Sequence, residues 1–193
     1  MKRMLFSGAI VTIGLATLLL PGVARPQEEK KFSFNLVPAS AAIEACLPNA
    51  SAEVTVFLKE AITGTDTLEL NASGLPPNTT FVVFLTELPE PPFGAVQYIG
   101  DYTTNAAGIG HVRINTIVEE AFSSQLVDTD CNPATPAVRV RKELNHVVNW
   151  FADPEADDFC FGPNQPPTPF DGDGEAGNAV LSSRNALPGA PIP

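Results

Sequence analysis

Asp66 to Glu87 reads DTLELNASGLPPNTTFVVFLTE. Leu68, Leu70 and Ala72 alternate with Thr67, Glu69 and Asn71. That period of two is the signature of a strand with one face buried and one face wet. Gly74 and the Pro76-Pro77-Asn78 cluster then reverse the chain, since glycine supplies turn conformations and proline fixes its own φ. The next five residues, Phe81 to Leu85, are all apolar, as in a strand covered on both faces. Two strands joined by a stiff turn, with no helical periodicity, point to an all-β chain.

The same pattern continues on either side. Upstream, strands are expected at Lys31 to Val37 and at Ala52 to Glu60, where Val54, Val56 and Leu58 share a face. Downstream, Pro89 to Gly94 (PEPPFG) is a rigid connection that cannot join regular structure. Strands resume at Ala95 to Thr103 and Gly110 to Val118, around a turn with Asn105 and Gly108. Glu119 to Val127 reads as one or two helical turns. Ala137 to Ala152, AVRVRKELNHVVNWFA, contains no Gly or Pro and reads as one long strand. A short apolar piece follows at Ala179 to Leu181. No internal repeat is visible. The expected fold is a single antiparallel β-sandwich, immunoglobulin-like or jelly-roll-like, over residues 31–184.

The chain opens MKRMLFSGAIVTIGLATLLLPGVARPQEE. A basic pair, an uncharged apolar run, a helix-breaking proline and small residues at the cleavage positions spell a secretory signal peptide over residues 1–24. A loose segment, 25–30, and a flexible tail, 185–193, flank the domain. No Cys follows the apolar run, so no lipid anchor is expected. Removing residues 1–24 takes away two basic residues and no acidic one, which moves the formal charge from −11 to −13. Such a chain repels nucleic acid and anionic lipid, which are held through Lys and Arg. The expected location is secreted or extracytoplasmic, with no membrane contact after cleavage.

An oxidising compartment makes a disulfide the simplest use of Cys46, Cys131 and Cys160. Three pairings are possible. Cys131 and Cys160 stand beyond the two ends of a segment that would span ~50 Å as one strand, whereas a bridge needs Cα atoms within ~7 Å. Cys46 with Cys160 is therefore preferred.

Four stretches together carry a resemblance: ACLPNA (Ala45 to Ala50), SGLPPNTTFVVFLTELPEPPFG (Ser73 to Gly94), GDYTTNAAGIG (Gly100 to Gly110) and the set NWFADPEAD, CFG and TPFDGDGEAG near the C-terminus. Over most of the mature chain they resemble a group of uncharacterised secreted bacterial β-sandwich proteins. The resemblance implies one shared domain, recurrence of the cysteines matching Cys46 and Cys160, and no known activity.

Candidate chemistry is sparse. FDGDGEAG, Phe170 to Gly177, spaces Asp171, Asp173 and Glu175 like the first half of a calcium loop. An EF-hand wants Gly at position 6 and Glu at position 12, and counting from Asp171 those positions hold Ala176 and Ser182. The plain reading is an acidic turn, with no cofactor; the alternative is a looser calcium site. DPEADD, Asp153 to Asp158, reads as a solvated acidic face. His111 and His146 lack the spacing of a metal motif. Ser123, Ser182 and Cys131 lack the context of an activated nucleophile. Trp150 reads as a core anchor. The sequons at Asn49, Asn71 and Asn78 are expected to be coincidental. Tyr98 and Tyr102, four apart in a strand, would share a face and could stack on a sugar. The leading expectation is a non-enzymatic exported domain with a structural or binding role toward an extracellular or envelope ligand. The alternatives are a carbohydrate-binding module using Tyr98 and Tyr102 with a calcium loop, and a carboxylate-based hydrolase.

Overall fold

The structure is a computed structural model that describes residues 30–59, 64–118, 121–125, 138–165 and 176–184. Among the described residues ten strands carry the fold: β1 (Lys30–Pro38), β2 (Ser51–Leu58), β3 (Asp66–Ser73), β4 (Thr80–Thr86), β5 (Val96–Thr103), β6 (Gly110–Thr116), β7 (Ala121–Gln125), β8 (Val138–Lys142), β9 (His146–Phe151) and β10 (Ala179–Ser182). Helix α1 (Ala41–Cys46) follows β1, and a 3-10 turn (Pro154–Asp157) leads into α2 (Asp158–Phe161).

Eight strands form one antiparallel sheet in the order β5-β4-β9-β10-β1-β2-β3-β6. Strand β1 joins its two leaves. Lys30 to Leu36 pair with β2, while Val37 and Pro38 pair with β10. The leaves β5-β4-β9-β10 and β1-β2-β3-β6 of this one sheet share a core. Leu36, Val54, Leu68, Phe81, Val83 and Phe151 meet there, each fully buried, and each such side chain contributes ~1.5–3 kcal/mol. The end strands β5 and β6 come back together on the far side. Glycines allow this: a Cβ on Gly100 would lie 2.9 Å from Ile114 Cδ1, and one on Gly110 would lie 2.3 Å from the Tyr102 ring. The all-β antiparallel class is as expected, with β4 inside the sheet between β5 and β9.

The turn after β3 interlocks with the turn between β5 and β6. The Leu75 N–H donates to Gly108 O, the Asn78 N–H to Asn105 O, and the Thr104 hydroxyl to Pro76 O. Gly74, at φ +69°, lies so close to the Asn49 carbonyl that a Cβ would fall 2.1 Å from its oxygen. Gly64 has a similar φ, +76°, with nothing within 4 Å. Gly74→Ala should therefore destabilise by more than Gly64→Ala, and by more than ~1 kcal/mol, in urea titrations of the two variants.

The chain departs from the expected pattern in four places. Ala121–Gln125 is a strand, not helical turns: it pairs with β8 as a separate two-stranded sheet. A segment so short cannot hold a helix alone, and a cross-strand partner decides its conformation. The expected long strand 137–152 is broken at residues 143–145 into β8 and β9, which belong to different sheets. Leu144 turns inward there and is 1% exposed. Helix α1 was not expected; Ser40 caps it by accepting the Ile43 N–H at 3.2 Å, and Ile43 is fully buried. Lys30 already pairs with Leu58, so the first strand begins inside the segment expected to be loose.

Cys46 at the end of α1 and Cys160 in α2 form a disulfide with Cα atoms 5.6 Å apart. The preferred pairing holds although one premise behind it, the unbroken 137–152 strand, does not. No helix among the described residues is long and apolar enough to cross a membrane.

Candidate functional site

Strand β5 does not bring Tyr98 and Tyr102 to one face. Val83 pairs with Gly100 and Phe84 with Tyr98, so Ile99 is an extra residue opposite β4. A bulge of this kind flips the alternation that follows it. Tyr98 points outward, half-exposed at 50%, with its ring edge-on to Phe84 and its hydroxyl donating to Asp101. Tyr102 points into the core, 5% exposed, stacked on Phe81. The two-ring sugar platform expected from the spacing of four is corrected by this bulge.

Tyr102 has a different role. The Asn149 side-chain amide donates to its hydroxyl at 2.7 Å inside the core. Burial pushes the Tyr102 pKa well above its usual value near 10, and the Asn149 bond opposes that only in part. In the unfolded chain the phenol ionises near pH ~10, while in the folded chain it stays protonated. The folded state then binds the extra proton, so stability is intact below pH ~10 and falls as pH rises above it. Urea midpoints at pH 9 and pH 11 should show this loss, and Tyr102→Phe should reduce it.

Asp171, Asp173, Glu175 and Cys131 lie outside the described residues. Among the described residues no group of three His, Cys, Asp or Glu side chains is arranged to hold a metal ion. The DPEADD cluster is only partly a solvated face. Asp153 and Glu155 are exposed, but Asp157 is fully buried, and its Oδ2 accepts the backbone N–H and the side-chain amide of Asn178, both at 2.8 Å. That carboxylate ties the turn after β9 to the segment entering β10. His146 is buried, with Nδ1 3.2 Å from the Ser183 hydroxyl, which also accepts the Val147 N–H.

The outer face of the β1-β2-β3-β6 leaf carries an ordered array of polar groups. Alternation sends Ser33, Asn35, Glu53, Thr55, Glu69, Asn71, His111 and Arg113 outward, and the register aligns them in cross-strand rows. One row runs Asn35, Glu53, Asn71, His111; the next runs Ser33, Thr55, Glu69, Arg113. Strands lie ~4.8 Å apart, so a four-strand row is roughly 14 Å long. Several members hold one another. Ser33 and Thr55 hydroxyls meet at 2.8 Å, His111 Nδ1 meets Asn71 Oδ1 at 2.8 Å, and Arg113 Nη1 donates to Glu69 at 2.7 Å.

A groove of about 370 Å³ opens on this face, lined by Asn35, Ser51, Ala52, Glu53, Asn71, Ala72, Ser73 and Ile109. Its floor is Asn35, Glu53 and Asn71 of the first polar row together with the Ser51–Ser73 pair, whose hydroxyls are 3.5 Å apart. Ile109 forms an apolar wall and is 52% exposed. The β5–β6 turn fixes that wall: Asn105 Oδ1 accepts the N–H groups of Ala107 and Ile109, and the Asn105 N–H donates to Ile109 O. Glu53 is the one charged residue in the lining. Sequence reasoning passed over Asn35, Glu53 and Ile109 because each is ordinary in its own segment; the strand register sets Asn35 beside Glu53, and the turn before β6 brings Ile109 to them. The alternation itself was the available signal, since it marks Asn35, Glu53 and Asn71 as outward-facing. No protein-family model, curated protein or solved structure matches this chain.

Proposed function

We propose that the chain is an exported, non-enzymatic binding domain that meets its ligand in the groove on the β1-β2-β3-β6 face. The observation that carries this reading is the alignment of Asn35, Glu53 and Asn71 in one exposed row beside Ile109. These side chains leave donors and acceptors directed at solvent on a rigid sheet, the arrangement that makes a site specific. The signal-peptide pattern of residues 1–24 and the Cys46–Cys160 bond support export, because such bonds persist in oxidising compartments. The non-enzymatic reading rests on the groove chemistry. Hydrolysis by paired carboxylates needs a second acid across the substrate, and among the described residues Glu53 is the groove's one carboxylate. Glu69, in the neighbouring row, is engaged by Arg113.

A second reading, favoured by the half-exposed Tyr98 ring held by Phe84 and Asp101, is a carbohydrate-binding module that stacks a sugar on Tyr98 alone. Expression of the full chain in a secreting bacterial host distinguishes these readings. The mature protein should begin at Arg25 and sediment with polysaccharide-rich envelope material. A groove-filling Ser73→Trp variant should stay soluble and Tyr98→Ala should still sediment. Release of reducing sugar from a glycoside panel by the wild type would contradict the non-enzymatic reading.

A further inference from the structure

We infer that the groove takes an uncharged, polyhydroxylated chain, that is, a neutral glycan; this inference rests on the reading of the groove as the ligand site. Four features of the lining select that chemistry. The Asn35 amide offers donors and an acceptor, Asn71 keeps its amide donors beside the oxygen it shares with His111, and the Ser51 and Ser73 hydroxyls, 3.5 Å apart, can each both donate and accept. Such mixed groups suit a ligand whose hydroxyls also do both. A phosphate or carboxylate would instead need several donors and a cation. Among the described residues the lining holds no Lys or Arg, and its one charge is the Glu53 carboxylate, within a chain whose formal charge is −11, or −13 without residues 1–24. An anionic ligand is therefore repelled locally and at long range. The floor repeats its polar groups at the strand spacing of ~4.8 Å, so a chain lying across the strands meets a fresh hydrogen-bonding group at each step. Ile109 supplies a fixed apolar wall for the C–H face of a pyranose. A flat aromatic ligand would find no ring in the lining to stack on.

The test uses the mature chain in affinity electrophoresis and calorimetry. The probes are soluble β-glucan, xylan and galactomannan as neutral chains, polygalacturonate as an anionic chain and chitosan oligomers as a cationic chain. At least one neutral polymer should retard the protein and polygalacturonate should not. Asn71→Ala and Ile109→Ala should each weaken that binding by roughly tenfold, the loss of one good contact, while Tyr98→Ala leaves it unchanged. Melting temperatures of all three variants should stay close to wild type, which separates lost contacts from lost folding. Retention on chitosan alone, abolished by Glu53→Gln, would overturn the neutral class of ligand and keep the groove as the site. Neutral-glycan binding that survives both groove variants and vanishes with Tyr98→Ala would overturn the groove as the site and, with it, the inference. Failure of every neutral polymer to bind would overturn the inference.

Discussion

Trp150→Ala should destabilise the domain by ~3–5 kcal/mol, the usual cost of removing a large buried aromatic side chain. Trp150 sits on β9, between β4 and β10, and points away from the main core. It is nevertheless fully buried. The outer face of this leaf has its own cluster, in which Trp150 packs with Phe84, Phe93, Val148 and Ala176. Ring centroids lie 5.2 Å away for Phe84 and 4.8 Å for Phe93, both edge-to-face, an orientation that adds to simple burial. Phe93 comes from the proline-rich connection after β4, which folds back through the Leu88 N–H donating to Phe93 O and the Glu87 N–H donating to Ala95 O. Deleting the indole removes the floor on which that connection rests. Urea unfolding followed by far-UV circular dichroism measures the effect, since the chain has a single Trp and its fluorescence is lost with the mutation. The midpoint should fall with little change in slope. A cost below ~1 kcal/mol, the range of surface substitutions, would mean that this face is open to solvent and the Phe93 connection unseated.

The second large effect belongs to the disulfide. Cys46 and Cys160 are 114 residues apart, and a cross-link closing a loop of that order stabilises by ~4–5 kcal/mol in the chain-entropy account, with ~2–5 typical when native bonds are removed. The local structure makes the dependence stronger. Helix α1 has six residues, too few to persist alone, and Ile43 and the Cys46 bond fix it to the core and to α2. Phe159 in α2 reaches Phe151 of β9 edge-to-face at 5.9 Å, so the bond also steadies the turn that follows β9. The Cys46→Ser/Cys160→Ser double variant should lose ~2–5 kcal/mol and become easier to cleave near α1 and α2. Equal urea midpoints for oxidised and reduced protein, with two further thiols titrating after reduction, would contradict this.

How far the sequence could be read depended on how local each determinant was. The strands at Leu68–Ala72, Phe81–Leu85 and Val112–Ile114 are visible because alternation or continuous apolarity is written into consecutive residues. The Cys46–Cys160 pairing holds, but the chain-reach argument for it assumed an unbroken 137–152 strand that the structure interrupts. Features set by distant partners were not visible. Ala121–Gln125 becomes a strand because Val138–Lys142 lies beside it. The break at residues 143–145 carries no Gly or Pro, and arises because β8 and β9 serve different sheets. The bulge at Ile99 depends on β4 and has no mark in β5 itself, so the spacing of four between Tyr98 and Tyr102 misled. Helix α1 was missed despite a local signal, since Ser40 before an Ala-rich run and Pro48 beyond it are ordinary helix boundaries. The groove needed the register of three strands at once. Asn35, Glu53 and Asn71 sit in separate segments, and pairing alone sets them in a row.

Amide shift mapping tests the binding face most directly. The ¹⁵N-labelled mature chain would be titrated with an oligosaccharide cut from whichever neutral polymer retards it. Shifts should concentrate at Asn35, Glu53, Asn71, Ser73 and Ile109 and leave Tyr98 and Asp101 still. Shifts centred on Tyr98 with a silent β1-β2-β3-β6 face would contradict the account.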